Sequence, residues 1–368
     1  MKLLHTADWH LGKTLKGQNL LDDQEFILKE IFKIIDEEKP DAILIAGDVY
    51  DRGVPPAEAV NLFDETLNKL AEKKIPTLII AGNHDSTTRL NFGSKLFERQ
   101  KIFIASKLAD EPAQVVLEDK FGEIYFSLIP YFEPGEIRAK FFGEDSERLT
   151  YNAANKFYVD LARKKIPAGK RSVAMAHVFL TGGEESESER KFVGGAANVD
   201  AQIFNDYDYV ALGHLHRPQK YYSGSPLKYS FDEANHKKSV TIVNIFDKED
   251  DVVIKKIPLT PRRDVRVETG TLAELRKIPR TEDYICARLT ERVINPQDKL
   301  ANIFPHLLSV EFDLPHENFS DNAPKQFREG GSHLDYFADF FKDQTGEDLN
   351  EEYREAMGEF LSKIGKEE

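Results

Sequence analysis

The sequence predicts an α/β fold: a two-sheet β-sandwich flanked by helices, followed by a small α+β domain and a C-terminal helical hairpin. Three observations carry this prediction. Short apolar runs of strand length alternate with amphipathic helical stretches at the start of the chain. Further strand-like runs then follow with only one long helix among them. Finally, Pro258-Leu259-Thr260-Pro261 reads as a linker, and shorter elements come after it.

In chain order, Lys2–Thr6 is a short apolar strand. Asp22–Glu38 reads as a helix, with Phe26, Ile27, Ile31, Phe32, Ile34 and Ile35 on its apolar side and Pro40 past its end. Ala42–Ala46 is a buried strand, Ala57–Glu72 a second amphipathic helix and Thr77–Ala81 another buried strand. This β-α-β-α-β order predicts a parallel sheet with helices on its faces. Strands are expected at Gln114–Glu118 and Ile124–Pro130, a helix near Asn152–Lys165, and strands at Val173–His177, Tyr209–Leu212, Gln219–Tyr222 and Ser239–Phe246. Two sheets packed face to face would use all of them. Beyond the linker, strands at Asp264–Thr269, Asp283–Thr290 and Leu308–Leu314 and helices at Thr271–Lys277 and Pro296–Phe304 make the small domain. A polar connector, Pro315–Gly331, leads to helices at Ser332–Lys342 and Glu347–Lys363 around a Thr345-Gly346 turn. The expected domains are therefore 1–258, 262–314 and 332–364.

Composition narrows the class. With 40% hydrophobic and 31% charged residues, the chain is neither disordered, collagenous nor a membrane bundle. No apolar run approaches the ~18 residues of a spanning helix. The N-terminus turns polar too early for a signal peptide. The single cysteine, Cys286, excludes an internal disulfide and a thiolate zinc cluster and fits a reducing, cytoplasmic setting. Of the net charge of −14, residues 311–368 carry −10, from 16 acidic and 6 basic residues. The body of the chain is close to neutral, so a polyanionic substrate would need positive charge from bound metal or from a partner.

Five polar clusters directly follow predicted strands: Asp8-Trp9-His10, Gly47-Asp48-Val49-Tyr50-Asp51-Arg52, Gly82-Asn83-His84-Asp85, His177 and Gly213-His214-Leu215-His216. Strand ends of an open α/β sheet point into one crevice, so these loops would gather carboxylates, an amide and up to five imidazoles. That donor set, without thiolate, suits Mn²⁺, Fe²⁺ or Zn²⁺. One carboxylate shared by two cations about 3.5–4 Å apart would polarise a phosphoryl group and supply its nucleophile. His84, beside Asn83, can be poised to donate a proton. Glycines 47, 82 and 213 are expected to allow sharp turns and to leave room for a bulky anion. Each piece alone has a plainer reading: His177 as a hydrogen-bonded core residue, Gly-Asp and Gly-Asn as ordinary turns. Their shared position after strands favours the metal site. Trp9 reads as packing beneath the site, His5 as a supporting residue on the first strand and Cys286 as a buried spectator. His236, His306, His316 and His333 read as solvated.

Together these clusters resemble the calcineurin-like metallophosphoesterase superfamily. Within it, His5-Thr6-Ala7-Asp8-Trp9-His10-Leu11-Gly12, Gly47 to Arg52, Ala81 to Ser86, Gly213 to His216 and Tyr222-Ser223-Gly224-Ser225-Pro226-Leu227-Lys228-Tyr229-Ser230-Phe231 resemble the SbcD-like family of bacterial double-strand-break repair nucleases. The likeness covers roughly the first 260 residues; beyond them it is one of organisation. The resemblance implies one metal on Asp8, His10, Asp48 and His216 and a second on Asp48, Asn83, His177 and His214, with Asp48 as the bridge and His84 as proton donor to the departing sugar oxygen. It implies two divalent ions, Mn²⁺ by family expectation, and hydrolysis of DNA phosphodiester bonds: 3′–5′ exonuclease action on duplex ends and endonuclease action on hairpins and single strands. It further implies an SbcC-type coiled-coil ATPase as partner, a homodimer within a heterotetramer, no membrane, a cytoplasmic, nucleoid-associated location and a role in DNA repair, recombination and replication. The 262–314 region resembles a capping domain that positions DNA, and 332–364 a helical element that docks on the coiled coil. Where relatives often carry a second active-site histidine, this chain has Asp51, so that role does not transfer; Asp51 and Arg52 are expected to fix the neighbouring loop. An apolar face over Asn61–Leu70 is a candidate for the contact between copies.

Two other readings compete. A protein or small-molecule phosphoesterase gains from Asp51-Arg52-Gly53, which resembles the Gly-Asp-x-x-Asp-Arg-Gly run of protein serine/threonine phosphatases; Asp85 and the additional domains weigh against it. A non-catalytic scaffold has all seven expected ligands and His84 against it.

Overall fold

The computed structural model describes residues 1–143, 145–189, 198–314 and 332–364. The chain divides into two compact units, Met1–Val267 and Glu268–Glu368. The connector expected over 315–331, with His316, lies outside the described residues.

In the first unit a six-stranded sheet runs in the order Val253–Pro258, Ser239–Asn244, Lys2–Thr6, Ala42–Ala46, Thr77–Ile80, Ile102–Ala105. Its last four strands are parallel. The expected parallel sheet is mixed, because a hairpin adds Ser239–Asn244 antiparallel to Lys2–Thr6 and Val253–Pro258 antiparallel to Ser239–Asn244. A four-stranded sheet runs Tyr209–Gly213, Arg171–His177, Gly122–Ile129, Ala113–Asp119. The two pack face to face through Leu3, Leu44, Leu78 and Ile80 from one and Phe126, Leu128, Val173 and Met175 from the other. Alternate residues of the same strand, Ala174 and Ala176, turn outward against Tyr158, Val159 and Ala162 of the helix Tyr151–Arg163. Covering on both faces is why these strands are continuous apolar runs without alternation.

The helix Leu21–Glu38 buries Ile27, Leu28, Ile31, Ile34 and Ile35 together with Asp23 and Gln24. Its buried stripe is rotated from the expected one: Leu28 is inside, whereas Phe26 and Phe32 are half-buried. Buried Asp23 faces Arg263 at 3.1 Å. On the helix Ala57–Lys73, Leu62, Phe63, Leu67 and Leu70 are buried in the unit itself. The apolar face expected over Asn61–Leu70 is therefore occupied by the fold and is not a free surface for a second copy. Gln219–Tyr222 is not a strand; only an isolated bridge joins Tyr222 to Leu212. In the six-stranded sheet two strands had no expectation, Ile102–Ala105 and Val253–Pro258; both are edges, the first short and the second largely exposed.

In the second unit, Tyr284–Leu289 pairs parallel with Leu307–Phe312. Ile285, Ala287 and Leu289 pack on Leu275, Leu300 and Phe304. Cys286 is fully buried here, and burial pushes its thiol up to about 11. The expected helices shorten to Leu272–Leu275 and Pro296–Leu300. His333–Thr345 starts at Ser332, whose hydroxyl accepts the Asp335 N–H at 3.2 Å, and ends at Gly346 in the left-handed region. It meets Glu351–Ile364 through Phe341 and Tyr353, ring centroids 5.7 Å apart. Phe340 and Phe360 remain exposed; the side chain of Ile364 lies outside the described residues. Among the described residues, no helix is long and apolar enough to cross a membrane.

One buried ion pair braces the four-stranded sheet. Arg171, 2% exposed, holds Asp119 at 2.5 Å and donates to Phe246 O and Gly122 O. Burial opposes the charge on Asp119, but Arg171 draws its carboxyl well below the usual range. Removing the carboxylate leaves a buried guanidinium short of a partner, so Asp119→Ala is expected to cost about 3 kcal/mol in thermal or urea denaturation. The depressed carboxyl stabilises the fold above its ordinary pKa and loses that contribution as pH falls toward the folded value. The wild-type advantage should therefore shrink in acid.

Candidate metal centre

Strand register brings the polar loops to one level. Thr6 lies beside Ile45, Ala46 beside Ile80 and Gly213 beside His177. The segments after these strands therefore leave the sandwich side by side. Two of them are joined further: Asp8 N donates to Gly47 O at 3.0 Å, His10 N to Asp48 O at 2.9 Å and Leu11 N to Val49 O at 2.9 Å. Asp8, His10, Asp48 and His214 all have positive φ, at 55°, 45°, 49° and 105°. Such conformations cost non-glycine residues about 1–3 kcal/mol each and persist where the surroundings over-determine them. Gln24 is part of that restraint, its amide donating to Trp9 O and His10 O and accepting from Gly12 N. Trp9 packs edge-on against Phe63 and donates to Thr6 Oγ1, so it underlies the site as expected.

All eight expected site residues converge. His10 Nε2 and His216 Nε2 are 3.1 Å apart, and His10 Nε2 is 3.5 Å from Asp48 Oδ2. Asp8, His10 and His216 each bring one donor atom within 4.8 Å of the other two; Asp8, Asp48 and His177 do the same. On the other side of Asp48, His177 Nε2 lies 3.3 Å from Asp48 Oδ2 and 3.0 Å from Asn83 Oδ1, which is also 3.1 Å from His214 Nδ1. His84 N donates to Asp48 Oδ1 at 2.8 Å, and its Nδ1 is 2.7 Å from Asp51 O. The four other imidazoles are buried; His84 is half-buried. A cleft lined by Tyr131, Tyr151 and Phe179 opens on His177 and His214.

Gly47 makes the sharp turn expected of it, with φ 91°, but the room expected for an anion is used differently. A Cβ on Gly82 would overlap Asp48 Oδ1, and one on Gly213 would overlap Ala46 O. The space they free is filled by the protein's own site, not left for an anion.

Electrostatics favour a cation. Burial keeps His10 and His214 neutral, down at about 3, and lowers His216 as well. Burial alone would do the same to His177, but Asp48 and Asp8 beside it hold it up at about 9. Burial raises Asp8 well above the carboxylate range; Asp48 is instead held below it by His177, His10 and His84 despite its own burial. Asp8 Oδ2 is buried with no hydrogen-bond partner. Neutral imidazoles, an unpaired buried carboxylate oxygen and an amide oxygen fit a divalent ion in both donor set and charge.

Several supporting residues do more than the sequence reading expected, or were not expected at all. Asp51 bonds through its carboxylate to Lys13 at 2.9 Å and reaches His10 Nδ1 at 3.5 Å, besides its carbonyl contact with His84. It thus holds two site histidines as well as the loop. Asp85 accepts from Val49 N, Tyr50 N and Gly82 N, tying the loop after Ala42–Ala46 to the loop after Thr77–Ile80. Glu189 accepts the His216 N–H at 2.6 Å, and Glu233 lies 3.1 Å from His216 Nδ1. Glu233 stands just past the Tyr222–Phe231 run, which is the only sequence signal for it; Gln24 and Glu189 had none. His5 is buried between Tyr209 Oη and Leu212 O, bracing the exit of Tyr209–Gly213. His236 is half-buried near Glu233 rather than solvated, and His306 sits 3.4 Å from Glu282. His333 is exposed.

Comparison with known proteins agrees with this architecture. Residues 1–218 match the profile of the calcineurin-like phosphoesterases. Over 99% of its length, and 99% of the relative's, the chain is 34% identical to the SbcD component of the SbcCD nuclease of Staphylococcus epidermidis. It is 33% identical to the same component of the SbcCD nuclease of Staphylococcus saprophyticus, over 100% of this chain and 99% of that one. With this site on this sandwich, the chain belongs to the calcineurin-like phosphoesterase family, in the branch of the SbcD nucleases.

Proposed function

We propose that the chain is the nuclease component of an SbcCD-type complex, a hydrolase of DNA phosphodiester bonds that uses two divalent ions. The observation that carries this reading is Asp48, a buried carboxylate with one oxygen within 3.5 Å of both His10 and His177. On one side it joins Asp8, His10 and His216; on the other, Asn83, His177 and His214. These are the two proposed ion positions, with Asp48 common to both. The all-oxygen and imidazole donor set is compatible with Mn²⁺. When bound, the ions supply the positive charge that polarises a phosphoryl group and activates the attacking water.

The chain's own residues do the rest. His84 Nδ1 donates to Asp51 O, so the form that acts as proton donor is the imidazolium, which gives its Nε2 proton to the departing sugar oxygen and returns to the neutral ring. Asp85 and Gly82 keep His84 in register with Asp48. The substrate's negative charge meets the ions rather than basic protein, which suits a body of nearly neutral charge. The acidic 332–364 helices would repel DNA, so we assign them to docking on a coiled-coil ATPase of the SbcC type, with Phe340 and Phe360 exposed for that contact. The small sheet domain is assigned to positioning DNA as a cap, and the assembly to two copies of each component. The proposed substrates are duplex ends, resected 3′ to 5′, together with hairpins and single strands, as DNA repair and recombination require, in the cytoplasm at the nucleoid. The phosphatase-like Asp51-Arg52-Gly53 run does not favour a protein phosphatase, because the Asp51 side chain is engaged with Lys13 and His10.

His84→Gln should lower the cleavage rate by about 10²–10⁴-fold while leaving Mn²⁺ content unchanged by elemental analysis; an equal loss of metal would remove the proton-donor role. Asn83→Ala should reduce the bound Mn²⁺ from two ions to one per chain and abolish cleavage, measured on metal-stripped and reloaded protein. The chain with its ATPase partner should cut labelled duplex ends and hairpins, and turn over phosphopeptides poorly. The reverse preference would replace the nuclease reading with the phosphatase one.

A further inference from the structure

Glu233 is completely buried, and the lysine that neutralises it, Lys238, is buried as well. The Lys238 ammonium lies 2.5 Å from Glu233 Oε2 and also donates to His216 O at 2.9 Å and Ser225 Oγ at 2.8 Å, so its three N–H groups are all used. The other carboxylate oxygen, Oε1, accepts from Ser188 Oγ, and lies 3.1 Å from Ser230 Oγ, whose proton is also shared with Asp232 Oδ1, and 3.1 Å from His216 Nδ1. Because Ser188 already donates its hydroxyl proton to Glu233, it can only accept from the imidazole, at 2.7 Å. Both neighbours of Nδ1 are thus acceptors, and the proton of neutral His216 sits on Nδ1. Nε2 is left bare, facing His10 Nε2 at 3.1 Å.

The proposed second ion position is built differently. There His177 Nδ1 leans on a neutral backbone carbonyl, Ala46 O, at 2.9 Å. A carboxylate behind an imidazole fixes its tautomer and raises its basicity as a ligand more than a carbonyl does.

We propose that Glu233, held in place by Lys238, is the positioning residue of His216: it keeps Nε2 deprotonated and aimed, and thereby strengthens the Asp8–His10–His216 ion position over the Asn83–His177–His214 one. This rests on the ligand assignment made above. Neither residue touches substrate. The Lys238 ammonium, 2.5 Å from Oε2, fixes the carboxylate's position behind the ring.

The test is a calorimetric Mn²⁺ titration of the metal-stripped full chain, alongside ¹⁵N NMR of the histidine ring nitrogens. In the wild type, His216 should show a protonated Nδ1 and a bare Nε2 before metal is added. Glu233→Gln should weaken one of the two binding events by about 10–100-fold and leave the other within about twofold. Glu233→Asp keeps the charge that pairs with Lys238 and serves as the second variant if the Gln chain does not fold; its affinity should fall between the two. Unchanged binding in either folded variant, equal weakening of both events, or a His216 protonated on Nε2 would overturn the proposal. His216→Ala separates this from the ligand assignment. If it too leaves both events unchanged, the assignment itself fails; if it abolishes one while Glu233→Gln changes nothing, only the positioning role fails.

Discussion

The site depends on one buried carboxylate reached from several directions. Asp48 Oδ1 takes the His84 N–H, Oδ2 faces His10 and His177, and its backbone carbonyl takes the His10 N–H. A charge buried this deeply is costly unless every neighbour is arranged to offset it. That requirement accounts for much of what surrounds it: the bare glycine at position 82, the left-handed backbone at Asp8, His10 and Asp48, and the buried side chains that hold those turns. Backbone strain at the centre is maintained by the rigid sandwich beneath, whose strands end at a common level.

A second layer of charge supports the first. Asp51 with Lys13 stands behind His10, and Glu233 with Lys238 behind His216. In each pair the lysine balances a carboxylate that would otherwise add to the negative charge of the centre. The carboxylates can then orient imidazoles without competing for the same protons. Asp51 thereby fills a structural place in this chain that a catalytic histidine does not need to fill, and it contributes a carbonyl to His84 as well.

Much of this was legible in the sequence, unevenly. Lys2–Thr6 and Ala42–Ala46 were readable to the residue, the second because a strand covered on both faces is apolar throughout, the first from its Leu3-Leu4 centre. Val253–Pro258 was not, since an exposed edge strand containing lysines carries no apolar period. Gln219–Tyr222 has strand-like composition but lies where only Tyr222 finds a partner. The rotated stripe of Leu21–Glu38 follows from Gln24, which turns a polar side chain inward to bond the Trp9–Gly12 loop. No pattern on an isolated helix announces that.

The sequence by itself determined which donors exist and that each follows a strand, because local apolar runs and glycine turns are short-range properties. Only the tertiary structure decided how the loops meet: how closely Asp48 faces His10 and His177, that glycines 82 and 213 make room for protein atoms, and that Glu233 and Asp51 stand behind the histidines. Those relations join residues up to about 200 positions apart, such as His10 and His216. They arise from strand register and the cost of buried charge, which no local stretch of sequence encodes.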